Sequence, residues 1–149
     1  PQTPILTGYL IWRIFLVGGM LCAAAFGLFE WELRRGMSEA EARTVAVNVF
    51  VFGELFYLFN CRSLTKSMFQ LGLFTNPWLF AGVSLMTILQ LLYTYLPAMN
   101  WMFHGAPITL ELWGHVLGAS LIIYLVIGFE KWMRRQASAK SLSDSPRTR

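Results

Sequence analysis

The chain has 149 residues, of which 56% are hydrophobic and only 13% charged, with a mean hydropathy of +0.51. A soluble domain carries roughly 25% charged residues, so the composition excludes an ordinary soluble globule, and the apolar content excludes intrinsic disorder. The net charge of +4 is unevenly placed: no Lys, Arg, Asp or Glu stands between Ser67 and Leu110, while six basic residues follow Glu130.

A helix needs about 20 mostly apolar residues to cross the hydrocarbon core of a bilayer, and four segments satisfy this. The first is residues 10–29, with Arg13 near its start, where a long side chain can snorkel to the headgroups. Ser38 and Glu41 form a capping-box pair, so the second helix starts near Ser38 and carries the apolar run 45–59, with Asn48 and Glu54 inside it. The third span is 78–96, opened by Asn76-Pro77 and stopped by Pro97. The fourth is 112–129, preceded by Pro107 and Thr109, with Glu111 at its positive end. Residues 136–149 read as a basic, Ser-rich, disordered tail. The apolar runs are too long and too continuous for the strands of an outer-membrane barrel. The fold class is therefore all-α: a polytopic membrane bundle of four transmembrane helices. Cys22 and Cys61 are read as unpaired.

The basic residues set the expected orientation. Arg13, Arg62, Lys66 and the six of the tail lie on one side; Arg34, Arg35 and Arg43 lie on the other. The positive-inside rule places both termini in the cytoplasm. Beside a membrane helix, the basic tail marks that side rather than a nucleic-acid surface. The chain opens Pro1-Gln2-Thr3-Pro4 without Met or a basic leader, which suggests a piece of a longer protein.

Three polar or small-residue features stand out within the spans. Gly19, Ala23 and Gly27 share one face of the first span, and Gly114 and Gly118 share one face of the fourth. Such spacing lets helix backbones approach closely, so these residues are expected to pack against other helices. Ser84, Thr87, Gln90 and Thr94 share one face of the third span, as a hydrogen-bonded seam would. Asn48 is expected to bond across to another span.

Glu54 is the acid well inside a span, and a charge there is costly enough to mark a functional site. With no Lys or Arg expected at its depth, it has two natural states: a carboxylate bound to a cation, or a neutral acid. Tyr57 lies on the same helix face and is a possible second ligand. Ca²⁺ takes about six to eight oxygens, so other helices must complete any such site. His104 and His115 do not face each other from two spans, as haem ligation would require. No catalytic constellation or phosphate-binding loop occurs.

The run Val49-Phe50-Val51-Phe52-Gly53-Glu54, then Asn60-Cys61-Arg62-Ser63, resembles the eighth membrane helix of P-type cation-transporting ATPases. Residues 67–76 resemble the cytoplasmic loop that follows it, and Pro4-Ile5-Leu6-Thr7 the approach to helix seven. Val17-Gly18-Gly19 with Ala23-Ala24-Ala25 is similar to helix seven itself, and Glu130-Lys131-Trp132 to the close of helix ten. The resemblance covers residues 1–135 and points to the type II, calcium-pump-like branch. It implies the C-terminal membrane domain of an ATP-driven cation pump, spans seven to ten. Glu54 takes the place of the helix-eight glutamate that ligates Ca²⁺, while Tyr57 departs from the acidic residue that sodium pumps carry there. The implied partners are the remaining membrane helices and cytoplasmic domains of the same pump, the lipid bilayer and Ca²⁺. The implied setting is a bacterial inner membrane. The phosphorylation motif DKTGT does not occur in these residues, so ATP and Mg²⁺ would act elsewhere in the parent pump. The competing expectation is a self-contained four-span scaffold or assembly subunit without transport chemistry.

Overall fold

A computed structural model describes residues 8–62 and 77–143. It contains α1 (Gly8–Arg34), α2 (Glu39–Arg62), α3 (Pro77–Tyr95), α4 (Pro97–Phe103) and α5 (Leu110–Ser143), and no strand among the described residues. Helices α1, α2, α3 and α5 are each long and apolar enough to cross a membrane, as expected. Residues 1–7, 63–76 and 144–149 lie outside the described residues, and with them Pro4–Thr7, the Ser67–Asn76 loop and the end of the tail.

Helix punctuation follows local chemistry. The α1–α2 turn holds Gly36 at φ +90°, a conformation that suits a residue without Cβ. The capping box forms as expected. Ser38 donates to the Glu41 carboxylate from its backbone N–H at 3.0 Å and its hydroxyl at 2.7 Å, and Ser38 Oγ accepts from the Glu41 N–H at 3.3 Å. Helix α3 ends before Pro97, which then opens α4 at a position where its missing N–H does not matter. Thr109 Oγ1 accepts from the Leu112 N–H at 3.4 Å, capping α5.

Helix α2 is the hub of the bundle. It packs along α1 and α5 and touches α3 more lightly, through Asn48. Along α1 the inward positions are Val17, Leu21, Ala24 and Leu28; along α5 they are Leu112, Val116, Ser120, Ile123 and Ile127. Steps of three and four keep these residues on one stripe of each helix. Val45 and Val49 of α2 meet Ile108, Leu112 and Val116 in one core cluster; Val17 and Leu21 meet Ile123 and Ile127 in the other.

Three features go beyond the sequence expectation. The segment between the third and fourth spans contains α4, which the sequence reading did not place. Helix α5 runs to Ser143, so residues 136–143 are helical where a disordered tail was expected. At 34 residues it extends about 51 Å, well beyond a hydrocarbon core of about 30 Å. The third is that the small-residue faces, expected to pack against other helices, form no seams among the described helices of this chain. Gly19, Ala23, Gly27, Gly114 and Gly118 are exposed, and a Cβ added at any of the four glycines would meet nothing within 4 Å. Within the spans a close approach occurs at Gly53, where an added Cβ would run into the end of the Leu21 side chain.

Candidate cation-binding groove

Glu54 sits on the side of α2 turned away from α5, and it is exposed. It stands between two grooves. One runs toward α1 and is lined by Ile14, Val17, Gly18, Phe50 and Tyr57; the other runs toward α3 and is lined by Val51, Leu55, Trp78, Gly82 and Met86. Every neighbour except Tyr57 in these lists is apolar or glycine, so the carboxylate is the chief charge at this place. Among the described residues no group of three or more His, Cys, Asp and Glu side chains is placed to hold a metal ion. Glu54 is therefore not the corner of a site closed by these helices alone.

Tyr57 lies three residues on, and its hydroxyl accepts a hydrogen bond from Arg13 Nε at 3.1 Å. The Arg13 guanidinium stands 5.6 Å from the centre of the same ring. This corrects two expectations. Arg13 does not reach outward to the headgroups but is 6% exposed, folded against α2. A basic side chain stands beside Tyr57, one helical turn along α2 from Glu54. The planar guanidinium favours an aromatic face with an oxygen at its edge over open lipid.

The polar seam forms only in part. Asn48 donates through Nδ2 to Thr94 Oγ1 at 3.0 Å and accepts at Oδ1 from Gln90 Nε2 at 3.1 Å, joining α2 to α3 as expected. All three side chains are buried. Thr87 instead bonds its own helix, at Val83 O, and neither it nor Ser84 is buried.

At the Arg34 end of the bundle lies a cluster that the sequence reading missed. Glu32 is 0% exposed. It accepts from His115 Nδ1 at 2.6 Å and from Arg35 Nη1 at 3.3 Å, and Arg35 also pairs with Glu111. Trp31 packs on His115 at 4.7 Å and under Arg35 at 5.1 Å. The Glu111 hydrogen bond, reinforced by the charges of Glu111 and Glu32, raises the Arg35 pKa above its ordinary value. These groups tie α1 to α5. A signal was present: Glu32 continues the Val17–Leu21–Ala24–Leu28 stripe, so a helix extended through it turns Glu32 inward.

Glu54 thus lies on an open face of a four-helix membrane bundle. Residues 1–133 match the family model described as "Cation transporting ATPase, C-terminus". This chain belongs to that family. It is 46% identical over 135 residues to the "Probable cation-transporting ATPase F" of Mycobacterium tuberculosis (strain ATCC 25618 / H37Rv), covering 91% of this chain and 15% of that protein. It is 32% identical over 124 residues to "Calcium-transporting ATPase 1" of Bacillus cereus, covering 82% of this chain and 14% of the relative. It is 30% identical over 123 residues to the "Calcium-transporting ATPase" of Bacillus subtilis, with the same coverage. The chain spans about one seventh of the length of these relatives. As the C-terminal membrane domain of a P-type cation ATPase, it presents Glu54 and its small-residue faces on surfaces that its own helices leave open.

Proposed function

We propose that this domain supplies the last four membrane helices of an ATP-driven calcium pump, and that Glu54 is one ligand of the transported Ca²⁺. The observation that carries this reading is the placement of Glu54: a carboxylate within a membrane-spanning helix, on a face that α1, α3 and α5 do not cover. A carboxylate facing lipid alone would be costly. Facing further helices of a pump, it supplies an anionic oxygen to a hard cation that needs about six to eight. Two of the relatives quoted above carry the name calcium-transporting, which favours Ca²⁺ as cargo. The exposed Gly19–Ala23–Gly27 face offers those helices a close seat. Nucleotide binding, phosphorylation and Mg²⁺ chemistry belong to other parts of the pump. Both termini face the cytoplasm of a bacterial cell, where the basic residues gather.

The test is Ca²⁺-dependent ATPase activity of the full-length pump, wild type against Glu54→Gln, across a range of free Ca²⁺. The amide keeps shape and hydrogen bonding but removes the charge. If Glu54 is a ligand, half-maximal activation shifts to substantially higher Ca²⁺, with protein abundance little changed because a neutral amide is cheaper to bury than a carboxylate. Superimposable activation curves would reduce Glu54 to a structural residue, and a pump that Ca²⁺ does not activate would overturn the choice of cargo.

A further inference from the structure

Residues 96–109 carry α3 into α5 at the Arg34 end of the bundle, and they contain no Lys, Arg, Asp or Glu. Helix α4 buries none of its residues. Its polar side chain, Asn100, turns to the bundle and donates through Nδ2 to Thr94 O at 3.3 Å. The three side chains that follow, Trp101, Met102 and Phe103, are large, apolar and exposed, Trp101 to 82%. Phe103 rests on Tyr93 at 5.5 Å between ring centres and is still exposed. A helix lying in water sorts such groups in the opposite sense, polar outward and apolar inward. The segment is also fastened. Arg43 Nη1 donates to His104 O at 2.8 Å, and Ala106 N donates to Thr44 Oγ1 at 3.1 Å. Between them, a Cβ added at Gly105 would lie 2.9 Å from Thr44 Oγ1. The fold itself therefore holds the apolar edge of α4 outward.

We propose that α4 is an interfacial anchor: it lies among the lipid headgroups at this end of the bundle, with Trp101, Met102 and Phe103 seated against the upper acyl chains of that leaflet. The depth follows from the neighbours. Arg43 pairs with Glu39, and Arg35 with Glu111, at the same end. Charged groups of this kind mark where the hydrocarbon stops, and the Arg43 bond to His104 O sets α4 at that level. Trp113 Nε1 donates to the Tyr95 hydroxyl at 2.7 Å, which donates in turn to Ile108 O at 3.0 Å. Aromatic residues with one polar end collect where acyl chains give way to headgroups. Leu92 and Leu96 at the end of α3 and Leu110 at the start of α5 are exposed as well, so the edge of α4 extends the apolar band of the spans. A protein partner would be met by a polar rim with hydrogen bonds; this edge has no charged side chain to offer one, and lipid asks for none. Because α4 is bonded to α2 through Arg43 and Thr44, the anchor also fixes the depth at which α2 sits. Neither the role of Glu54 nor the side of the membrane that this end faces enters into it.

The experiment uses the full-length pump in lipid nanodiscs, with its native cysteines replaced and an environment-sensitive nitrobenzoxadiazole label on Met102→Cys. Lipids carrying a nitroxide near the headgroup should quench the label by a larger fraction than lipids carrying it near the chain end. Iodide in the water should quench it less than it quenches the same label on free cysteine. Strong quenching by iodide with none from either lipid would place the edge in water. No quenching from any of the three would show that another part of the pump covers it. Strongest quenching from the chain-end nitroxide would place it in the hydrocarbon core. Each of these results overturns the proposal. Should Met102→Cys fail to accumulate, Trp101→Cys puts the same label on the same edge and is read in the same way.

Discussion

Glu32 is the buried residue whose removal should be felt most. Its carboxylate serves both His115 and Arg35 with no exposure of its own. Removing Glu32 leaves His115 Nδ1 without its acceptor, while Arg35 keeps Glu111, so the expected cost is about 1–3 kcal/mol. Glu32→Ala should therefore lower the melting temperature of the detergent-solubilised pump markedly. Glu32→Gln, which can still accept from His115, should lower it less, and equal losses would show that charge is not what matters. The Asn48 node should be milder. Its two bonds to α3 are each worth roughly 0.6 kcal/mol on membrane-protein averages, so Asn48→Ala should cost about 1 kcal/mol in the same melts, and a loss as large as that of Glu32→Ala would contradict this. The sequence made some of these residues legible and hid others for a physical reason. Glu54 and Asn48 stand out because each interrupts an apolar run on its own helix. Arg13 and Glu32 act through partners 44 and 83 residues away. Their roles depend on which helix lies alongside, and no pattern within one helix reports that.

At the scale of the helix, length and apolar content were enough to identify all four spans, and the capping residues were enough to place the start of α2. Which faces meet was harder to read. The small residues at four-residue spacing drew attention to Gly19, Ala23 and Gly27, yet within this chain they face outward, and the tight contact is at Gly53 against Leu21. The reason is that small-residue spacing marks a face able to approach a neighbour without saying whose neighbour it is. Two substitutions separate the cases. Gly53→Ala pushes a methyl group into Leu21, itself buried beside Ile123, and such overpacking costs about 1–3 kcal/mol, read as a lower melting temperature. Ala23→Leu meets nothing in this chain. If the rest of the pump seats a helix on that face, folded yield of the full-length protein falls. An unchanged melting temperature would mean that the face meets lipid.

The whole molecule is a band of apolar surface on an antiparallel frame. Hydrogen bonds from Asn60 to Tyr124 O near one end and from Ala106 N to Thr44 near the other fix α2 and α5 in the same direction, while α1, with Arg13 on Tyr57 and Glu32 on His115, runs opposite to both. Helix α3 runs opposite to α2, because Asn48 bonds Gln90 and Thr94 while Leu55 and Leu58, further along α2, face Trp78 and Leu79 at the start of α3. The frame therefore brings Gly8, Arg62 and Pro77 to one end of the bundle and Arg34, Glu39, Tyr95 and Leu110 to the other. Helix geometry alone does not decide which end meets the cytoplasm; the basic residues do. Nine of the twelve Lys and Arg residues lie in or beside the segments at the Gly8 end, and charge of that sign resists translocation. The prediction is that a cysteine placed at Ser63 in the full-length pump, with Cys22 and Cys61 replaced, is labelled by a membrane-impermeant maleimide only after the cells are opened. A cysteine at Ala106, in the segment between α4 and α5, should be labelled in intact cells. Labelling of both from the same side would contradict the antiparallel frame itself. Labelling of each from the unexpected side would leave the frame standing and reverse its orientation. Glu54 would then lie nearer the outer surface, on the opposite side of the membrane from the one its basic surroundings indicate.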